Sequence, residues 1–188
     1  QVNGTITKTA VATGADLVAY SGFSAANYLE QPYNADLDFG TGDFSVSCWA
    51  NTTGGHQAIF HRAITTGGIL IRPNASGYVQ VYLSNTVNVW NDILIGTVPI
   101  NTGKWTSIVV SRLSGVLYIY VDAVLDSSTT HTANLTYVNA KSRFGRRNDI
   151  PGETWSSGSL ALLRISATAP TAAQIKEIYE AEKPLFQE

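Results

Sequence analysis

The stretch KWTSIVVSRLSGVLYIYVDAVL, Lys104–Leu125, decides the fold of this chain. After Ser114 and Gly115, a pair typical of a tight turn, apolar and polar positions alternate with a period of two. The apolar positions are Leu117, Ile119 and Val121, and the intervening ones are Tyr118, Tyr120 and Asp122. This period is that of a β-strand with one face toward a core. The tyrosines are therefore predicted on the opposite face.

The residues before the turn have a different pattern. Ile108, Val109 and Val110 follow one another without a polar interruption, which is typical of a strand covered on both faces. Trp105 opens this strand. Two strands joined by a short turn predict an antiparallel hairpin at the centre of a β-sandwich.

The hairpin resembles the central hairpin of laminin-G-like, concanavalin A-like jelly-roll domains. Three further stretches carry the same resemblance: AYSGFSAANYLEQPYN (19–34), LDFGTGDFSVSCWA (37–50) and GSLALLRISATAPTAAQIKEIYEAE (158–182). Together they cover most of the chain and imply an all-β, two-sheet antiparallel jelly roll with one short C-terminal helix. Such domains usually have Gly after the Asp of the hairpin, where this chain has Ala123.

Composition indicates one folded domain over residues 1–188. The chain has 188 residues, of which 44% are hydrophobic and 14% are charged, so disorder is not expected. The formal net charge is −2 without a basic stripe, which argues against nucleic acid as a partner. An apolar run of about 20 residues and a signal peptide are both missing, so membrane insertion is not expected. The lack of Met predicts a chain excised from a larger protein.

Alternating segments predict further short strands along the chain. They are residues 2–11, 17–20, 27–29, 44–50, 57–63, 68–72, 78–84, 93–98, 143–146 and 160–166. Residues 127–138 are predicted to form a polar loop with at most weak strand character. Cys48 is the only cysteine, which excludes an internal disulfide, and its parity with Phe44 and Val46 places it in the core.

A single helix is predicted at about residues 171–183. Thr171 and Gln174 have the spacing of a capping box. Ile175, Ile178 and Tyr179 form an apolar stripe at i, i+3 and i+4, which would dock the helix on the sandwich.

Catalysis is not expected. Glucanases that share the fold of this resemblance carry two Glu on one strand face, because retaining hydrolysis needs carboxyl groups about 5 Å apart. No two Glu have an i, i+2 or i, i+4 spacing within a predicted strand, and no Ser lies in a nucleophile elbow. His61 alternates with Ile59 and is interpreted as structural. A glycan hydrolase with an unfamiliar site remains one alternative.

Binding is the better hypothesis. Sugar rings present C–H faces that stack on aromatic rings, and their hydroxyls need polar partners. Tyr78, Tyr82, Tyr118 and Tyr120 all have the non-core parity of their strands, with Gln80 between the first two. If those two strands share a sheet, the four rings form a patch on its outer, concave face. Packing alone also explains such tyrosines, since cross-strand pairs favour them, and the C-terminal helix or a partner would cover them.

A rim site is the second candidate. This site at the edge of the sandwich would use polar and aromatic side chains, namely His56, Arg62, Asn148, Asp149 and Trp155. Trp90 and Trp155, in loop-like segments, would instead rim the tyrosine patch. Trp49 and Trp105 are interpreted as packing residues.

Calcium is a further expectation, because the laminin-G-like resemblance implies binding through a loop Asp and backbone carbonyls at the rim. Asp36, Asp38 and Asp43 are the candidate ligands, in the turn-rich segment NADLDFGTGD. The alternative is that they simply cap turns.

These observations predict a non-catalytic, lectin-like module that binds carbohydrate. The first and last stretches also resemble modules of bacteriophage tail and other virion proteins. That resemblance implies a bacterial surface glycan as ligand, a virion or extracellular location, and contact with other virion domains. A homo-oligomer formed through the parent protein would add avidity. The alternative function is a structural or protein-interaction module without a glycan ligand.

Overall fold

The protein is a sandwich of two antiparallel sheets with one C-terminal α-helix. The computed structural model describes residues 1–64, 67–84 and 91–186. Sheet A has seven strands in the order β1-β4-β13-β6-β7-β8-β9. In chain order they are β1 (Val2–Asn3), β4 (Tyr28–Gln31), β6 (Phe60–Ile64), β7 (Gly67–Pro73), β8 (Tyr78–Leu83), β9 (Asn91–Pro99) and β13 (Lys141–Phe144).

Sheet B also has seven strands, in the order β12-β11-β10-β5-β14-β3-β2. In chain order they are β2 (Thr7–Ala10), β3 (Val18–Ser21), β5 (Phe44–Thr52), β10 (Thr106–Leu113), β11 (Val116–Val121), β12 (Val124–Thr130) and β14 (Gly158–Ser166). The predicted jelly-roll class, all-β with two sheets and a short helix, is confirmed.

The hairpin of residues 104–125 forms as its sequence predicts. Strands β10 and β11 pair antiparallel, from Ile108 opposite Val121 to Leu113 opposite Val116. Ser114 and Gly115 have φ of 51° and 77°, the pair of positive angles that a type I′ turn requires. The backbone N–H of Ser114 donates to Asp43 Oδ1 at 2.8 Å, which fixes the turn from a neighbouring loop.

The space between the sheets is filled by the alternating apolar positions of both inner faces. Leu117, Ile119 and Val121 are buried there, and Cys48 lies among them as predicted. Trp155 is also part of this core and has no exposed surface. The prediction that Trp155 lines the rim is therefore wrong, because its loop turns the indole inward.

Two segments differ from the predictions. Residues 2–11 form two short strands, β1 in sheet A and β2 in sheet B, instead of one. Residues 124–130 form strand β12 although their pattern is polar. Asp126 in β12 accepts from the Thr97 backbone N–H at 2.9 Å and from its hydroxyl at 2.7 Å, and Thr97 lies in β9. A side chain thus links the two sheets at this edge, which an alternation pattern does not show.

Helix α1 (Ala172–Glu182) has the predicted bounds and the predicted capping box between Thr171 and Gln174. It packs on the outer face of sheet B, where Ile175 contacts Val109 and Tyr120. Val109 is thereby covered from outside, which explains the uninterrupted apolar run in β10. Ile178 is 45% exposed, so only Ile175 and Tyr179 of the predicted stripe dock. Among the described residues, no helix has both the length and the apolar character needed to cross a bilayer.

The turn between β11 and β12 contains the chain's departure from the expected glycine. Ala123 has a φ of 62°, a left-handed conformation that costs an L-residue about 1–2 kcal/mol and glycine almost nothing. Replacing Ala123→Gly is therefore expected to raise the free energy of unfolding by about 1 kcal/mol.

Urea denaturation followed by tryptophan fluorescence measures this change. The matched control is Ala173→Gly in the exposed first turn of α1, which is expected to lower the free energy of unfolding by up to about 1 kcal/mol. Equal destabilisation by both substitutions would contradict the assignment of strain to Ala123.

Candidate functional site

The four predicted binding tyrosines do not lie together. Strand β8, with Tyr78 and Tyr82, belongs to sheet A, whereas β11, with Tyr118 and Tyr120, belongs to sheet B. The prediction of one shared patch is wrong, because parity within a strand identifies a face but not a sheet. Tyr120 is 8% exposed and packs against Ile175 of the helix. The outer face of sheet A is therefore the face on which polar and aromatic candidates remain together.

Strand register defines the outer face of sheet A. One row of opposed residues crosses β4, β13, β6, β7 and β8 as Glu30, Arg143, His61, Leu70 and Tyr82. The adjacent row pairs Arg72 of β7 with Gln80 of β8. Tyr78 and Gln80 share the face of Tyr82 because they are four and two residues before it in one strand. Three residues predicted at the tyrosine site thus line this face.

A loop at residues 146–154 lies against the same face. Arg146 and Thr154 form an isolated antiparallel bridge, and the Arg147 backbone N–H donates to the Glu153 carbonyl at 3.1 Å. The Glu153 N–H donates to the Ile150 carbonyl at 3.0 Å and closes a turn that contains Pro151. Proline restricts φ and favours such turns. The loop therefore has a defined shape of its own before any contact with the sheet.

Ion pairs hold the loop to the sheet. Arg72 of β7 binds Glu153 at 2.6 Å, and the other oxygen of Glu153 accepts from Arg147 at 2.9 Å. Arg147 also binds both oxygens of Asp149, at 2.6 and 2.9 Å. These four side chains, Arg72, Glu153, Arg147 and Asp149, are called the loop ion network below. Because they are largely buried, breaking one pair would leave an uncompensated charge.

His61 connects the loop ion network to strand β6. Its Nδ1 accepts from the Asn148 backbone N–H at 2.7 Å, so the proton of the neutral ring is on Nε2, 3.6 Å from Asp149 Oδ1. Burial lowers the pKa of His61 to about 3, with the nearby Arg147 and Arg143 charges acting in the same direction. Burial alone would raise the pKa of Asp149, but the Arg147 and His61 interactions outweigh it and the pKa is lowered.

A second ion cluster lies at the other side of the face. Glu30 of β4 accepts from Lys141 at 3.0 Å and from Arg143 at 2.7 Å. Burial would raise its pKa, but hydrogen bonds from these two cations lower it overall. The Arg143 and Arg146 guanidinium groups lie 4.7 and 4.5 Å from the centre of the Tyr28 ring. The described residues therefore place mixed charges and an aromatic ring along this side.

Several buried polar atoms on this face have no hydrogen-bond partner among the described residues. They are Gln80 Oε1, Arg72 Nε, Asn148 Oδ1 and Arg146 Nε. Gln80 is only 5% exposed, and an unsatisfied buried amide oxygen costs about 1–3 kcal/mol. These atoms have almost no accessible surface, so a ligand on the surface does not reach them. The side chains of this face that are partly exposed to a ligand include Arg72, Tyr78 and Tyr82.

The predicted rim residues separate into three groups. Asn148 and Asp149 lie in the loop against sheet A, as described above. Arg62 has no exposed surface, because it binds Asp38 at 2.7 Å and the Ala140 carbonyl at 2.7 Å, so it is a packing residue. His56 is exposed beside the turn that precedes Tyr78, with its N–H bonded to the Pro73 carbonyl. Trp90 lies outside the described residues.

The three calcium candidates make separate structural contacts. Asp38 binds Arg62 and accepts from the Tyr33 hydroxyl at 2.9 Å. Asp43 supports the hairpin turn at Ser114. Asp36 follows the capping residue of a short 3₁₀ turn at Ala35–Leu37. In the described part of the chain, no three His, Cys, Asp or Glu side chains are grouped as metal ligands.

Sequence reasoning missed Arg72, Arg147, Glu153 and Tyr28. Arg72 has the same parity as Leu70 in a predicted strand, so the sequence alone indicates that the two side chains share a face. The loop has a positive charge at Arg147 followed by negative charges at Asp149 and Glu153 on either side of Pro151, a pattern suited to internal pairing. Their meeting with Arg72 depends on the fold.

Comparison with protein families agrees with this architecture. The family model for the concanavalin A-like lectin/glucanases superfamily, of laminin G type, matches residues 23–176. The chain belongs to this superfamily. The superfamily name covers both lectins and glucanases, so membership alone assigns no activity. No curated protein matches the chain in sequence.

Solved structures with the same fold include toxin binding domains. The binding domain of Paraclostridial Mosquitocidal Protein 1 superposes with a TM-score of 0.74 at 12% identity, over 96% of this chain and 47% of that one. The binding domain of Botulinum Neurotoxin DC in complex with SialylT gives 0.71 at 14% identity, over 96% and 46%. The same domain in complex with rat synaptotagmin II gives 0.71 at 12% identity, again over 96% and 46%. The chain thus spans about half the length of these structures, and at such identities the likeness shows the fold.

The buried His61 predicts a pH dependence of stability. Its folded pKa of about 3 lies below the unfolded value of 6.5, so the unfolded state takes up a proton first as the pH falls. Between pH 6.5 and 5, the free energy of unfolding is expected to fall with decreasing pH, with a limiting slope of about 1.4 kcal/mol per pH unit from this group. His131 contributes in the same direction, because burial and Arg112 also lower its pKa.

Urea titrations of the wild type, His61→Asn and His131→Asn across that range separate the two histidines. The His61→Asn variant is expected to be less stable at pH 7 but less sensitive to pH. A slope unchanged from the wild type would show that folding does not lower the pKa of His61.

Proposed function

We propose that this protein is a non-catalytic carbohydrate-binding module whose ligand lies on the outer face of sheet A. The observation that carries the proposal is the group of partly exposed polar and aromatic side chains on this face, namely Arg72, Tyr78 and Tyr82. Sugar hydroxyls both donate and accept, so they match guanidinium N–H groups and phenolic hydroxyls on the same surface.

The proposed binding mechanism depends on side chains that are held in place before the sugar binds. The Tyr82 hydroxyl accepts from Arg72 Nη2 at 2.9 Å, and the guanidinium lies 5.0 Å from the ring centre. Arg72 is in turn fixed by Glu153, so the ring and the polar groups keep their positions before a ligand arrives. Preorganised groups lose little conformational entropy on binding. An apolar sugar face would stack on a tyrosine ring, while Arg72 and the tyrosine hydroxyls select its hydroxyl groups.

The carboxylates of this face favour binding over hydrolysis. A glycosidase needs one carboxyl group with a raised pKa as its acid. Asp149 and Glu153 instead share Arg147, and the pKa of Asp149 is lowered. These two carboxylates therefore act as supports for the loop. The glucanase branch of the superfamily remains an alternative that an activity screen would detect.

The biological ligand we propose is a glycan of a bacterial host surface, bound by a virion or extracellular protein. Its support is the similarity of the first and last stretches to phage tail modules, together with the toxin binding domains that share the fold. One such site would bind weakly, and a homo-oligomer of the parent protein or contacts with other virion domains would supply avidity.

A glycan array with the wild type and three variants tests the proposal. Gln80 lies between Tyr78 and Tyr82 on the same face, so Gln80→Leu is expected to lower binding at least tenfold by removing the polar side chain that separates the two rings. Tyr82→Phe removes the hydroxyl that Arg72 contacts and should also weaken binding. Tyr118→Phe is the matched control on sheet B and should bind like the wild type. Repeating the array with a chelator tests the expected calcium.

Each outcome has a clear meaning. Full binding by Gln80→Leu would place the glycan elsewhere on the protein. No glycan binding by the folded wild type would overturn the carbohydrate proposal and favour a structural or protein-interaction module.

A specific observation supports that second candidate. A groove of about 530 Å³ opens between the sheets near β1 and is lined partly by Leu29, Leu37, Phe144, Leu163 and Ile165. Apolar surface at an open edge is typical of a protein contact.

A further inference from the structure

A second cavity lies on sheet B, at the opposite side of the sandwich from the proposed glycan face. It has a volume of about 540 Å³ and is bounded by the ends of β5 and β10 and by the C-terminal segment after α1. This volume falls within the range of about 300–1,000 Å³ that is typical of small-molecule sites. The cavity is independent of the loop ion network.

Four aromatic side chains line this cavity, namely Trp49, Trp105, Tyr179 and Phe186. The Trp49 ring stacks with Tyr179 at a centroid distance of 5.6 Å and with Phe186 at 4.2 Å. Trp105 meets Phe186 at 5.0 Å with the rings tilted by 52°. Trp49 is also fixed by its indole N–H, which donates to Glu182 Oε2 at 2.7 Å. Trp105 is only partly buried, so its ring is the one available to a ligand.

The charged groups at this cavity are basic. Lys104 and Lys183 both line it, together with the polar Asn51, and among the described residues no carboxylate lines it. Glu182 is nearby, but its two oxygens are taken by the Trp49 indole and by Arg164 at 2.6 Å. Neither lysine forms a salt bridge within the described residues. Lys183 lies 5.5 Å from the centre of the Tyr179 ring, and its charge also acts on Asp122 behind the turn. Lys104 is exposed at the cavity mouth.

We propose that this cavity is a second binding site, for a sugar that carries a carboxylate, such as a sialic or uronic acid. The partly exposed Trp105 ring would take the apolar face of the pyranose, and the Lys104 and Lys183 ammonium groups would take the carboxylate. A neutral sugar would contact only the Trp105 ring, and a small carboxylate would contact only the two lysines. The combination selects an acidic sugar.

The test follows the tryptophan indole N–H resonances by ¹⁵N NMR during titration of the whole chain. The probes are N-acetylneuraminic acid and glucuronic acid, with galactose and acetate as the neutral-sugar and carboxylate-only comparisons. The Trp49 and Trp105 indole signals are expected to shift saturably with the acidic sugars, and both galactose and acetate should bind at least tenfold more weakly. Assignment uses Trp105→Phe.

Lys104→Glu is expected to weaken acidic-sugar binding at least tenfold without a change in the unfolding midpoint, because Lys104 is exposed. Lys176→Glu, an equally exposed lysine on α1 away from the cavity, is the matched control and should bind like the wild type. Equal affinity for galactose, unchanged affinity in Lys104→Glu, or no shift at all would each overturn the proposal.

This inference does not rest on the proposed glycan face. Gln80→Leu should leave the Trp49 and Trp105 shifts intact, and Lys104→Glu should leave neutral-glycan binding on the array intact. Failure at one site is therefore distinguishable from failure at the other.

Discussion

The Arg72–Glu153 ion pair is the contact on which the proposed binding face depends. It joins a strand of sheet A to the loop of residues 146–154, and through Arg147 and Asp149 it extends to the buried His61. Each charge is largely removed from water, so each needs its partner to avoid a large desolvation cost. The same pair holds the guanidinium beside Tyr82 and opposite Gln80. Fold and candidate site are thus stabilised by one set of contacts.

The two outer faces of the sandwich have different roles. Helix α1 covers sheet B with Ile175 and Tyr179, so the tyrosines of β11 contribute to packing. No helix covers sheet A in the described residues, and polar loop residues pack there instead. The capping box at Thr171 fixes where the helix begins. After the helix, the stacking of Phe186 on Trp49 holds the C-terminal segment against sheet B. The second cavity lies at the edge of the area of sheet B that helix α1 covers.

Local sequence patterns were sufficient for the hairpin, the buried alternation, the strands β6 to β8 and the helix bounds, because each depends on neighbours within a few residues. They were insufficient for the site. Parity placed Tyr82 and Tyr118 on outward faces, but assignment to different sheets depends on long-range pairing. Trp155 and Arg62 were predicted at the rim yet are fully buried, since one packs into the core and the other pairs with Asp38. The Arg72–Glu153 pair joins residues 81 positions apart, beyond any local pattern.

Hydrogen–deuterium exchange of the wild type and Glu153→Gln would test most directly whether this ion pair organises the face. The account predicts that backbone amides of 146–154, including the Asn148 N–H bonded to His61, are protected in the wild type. Glu153→Gln should remove this protection and weaken glycan binding while strands β5 and β10 stay protected. Unchanged exchange in the loop would contradict the account, because the loop would then be held by contacts other than its buried charges.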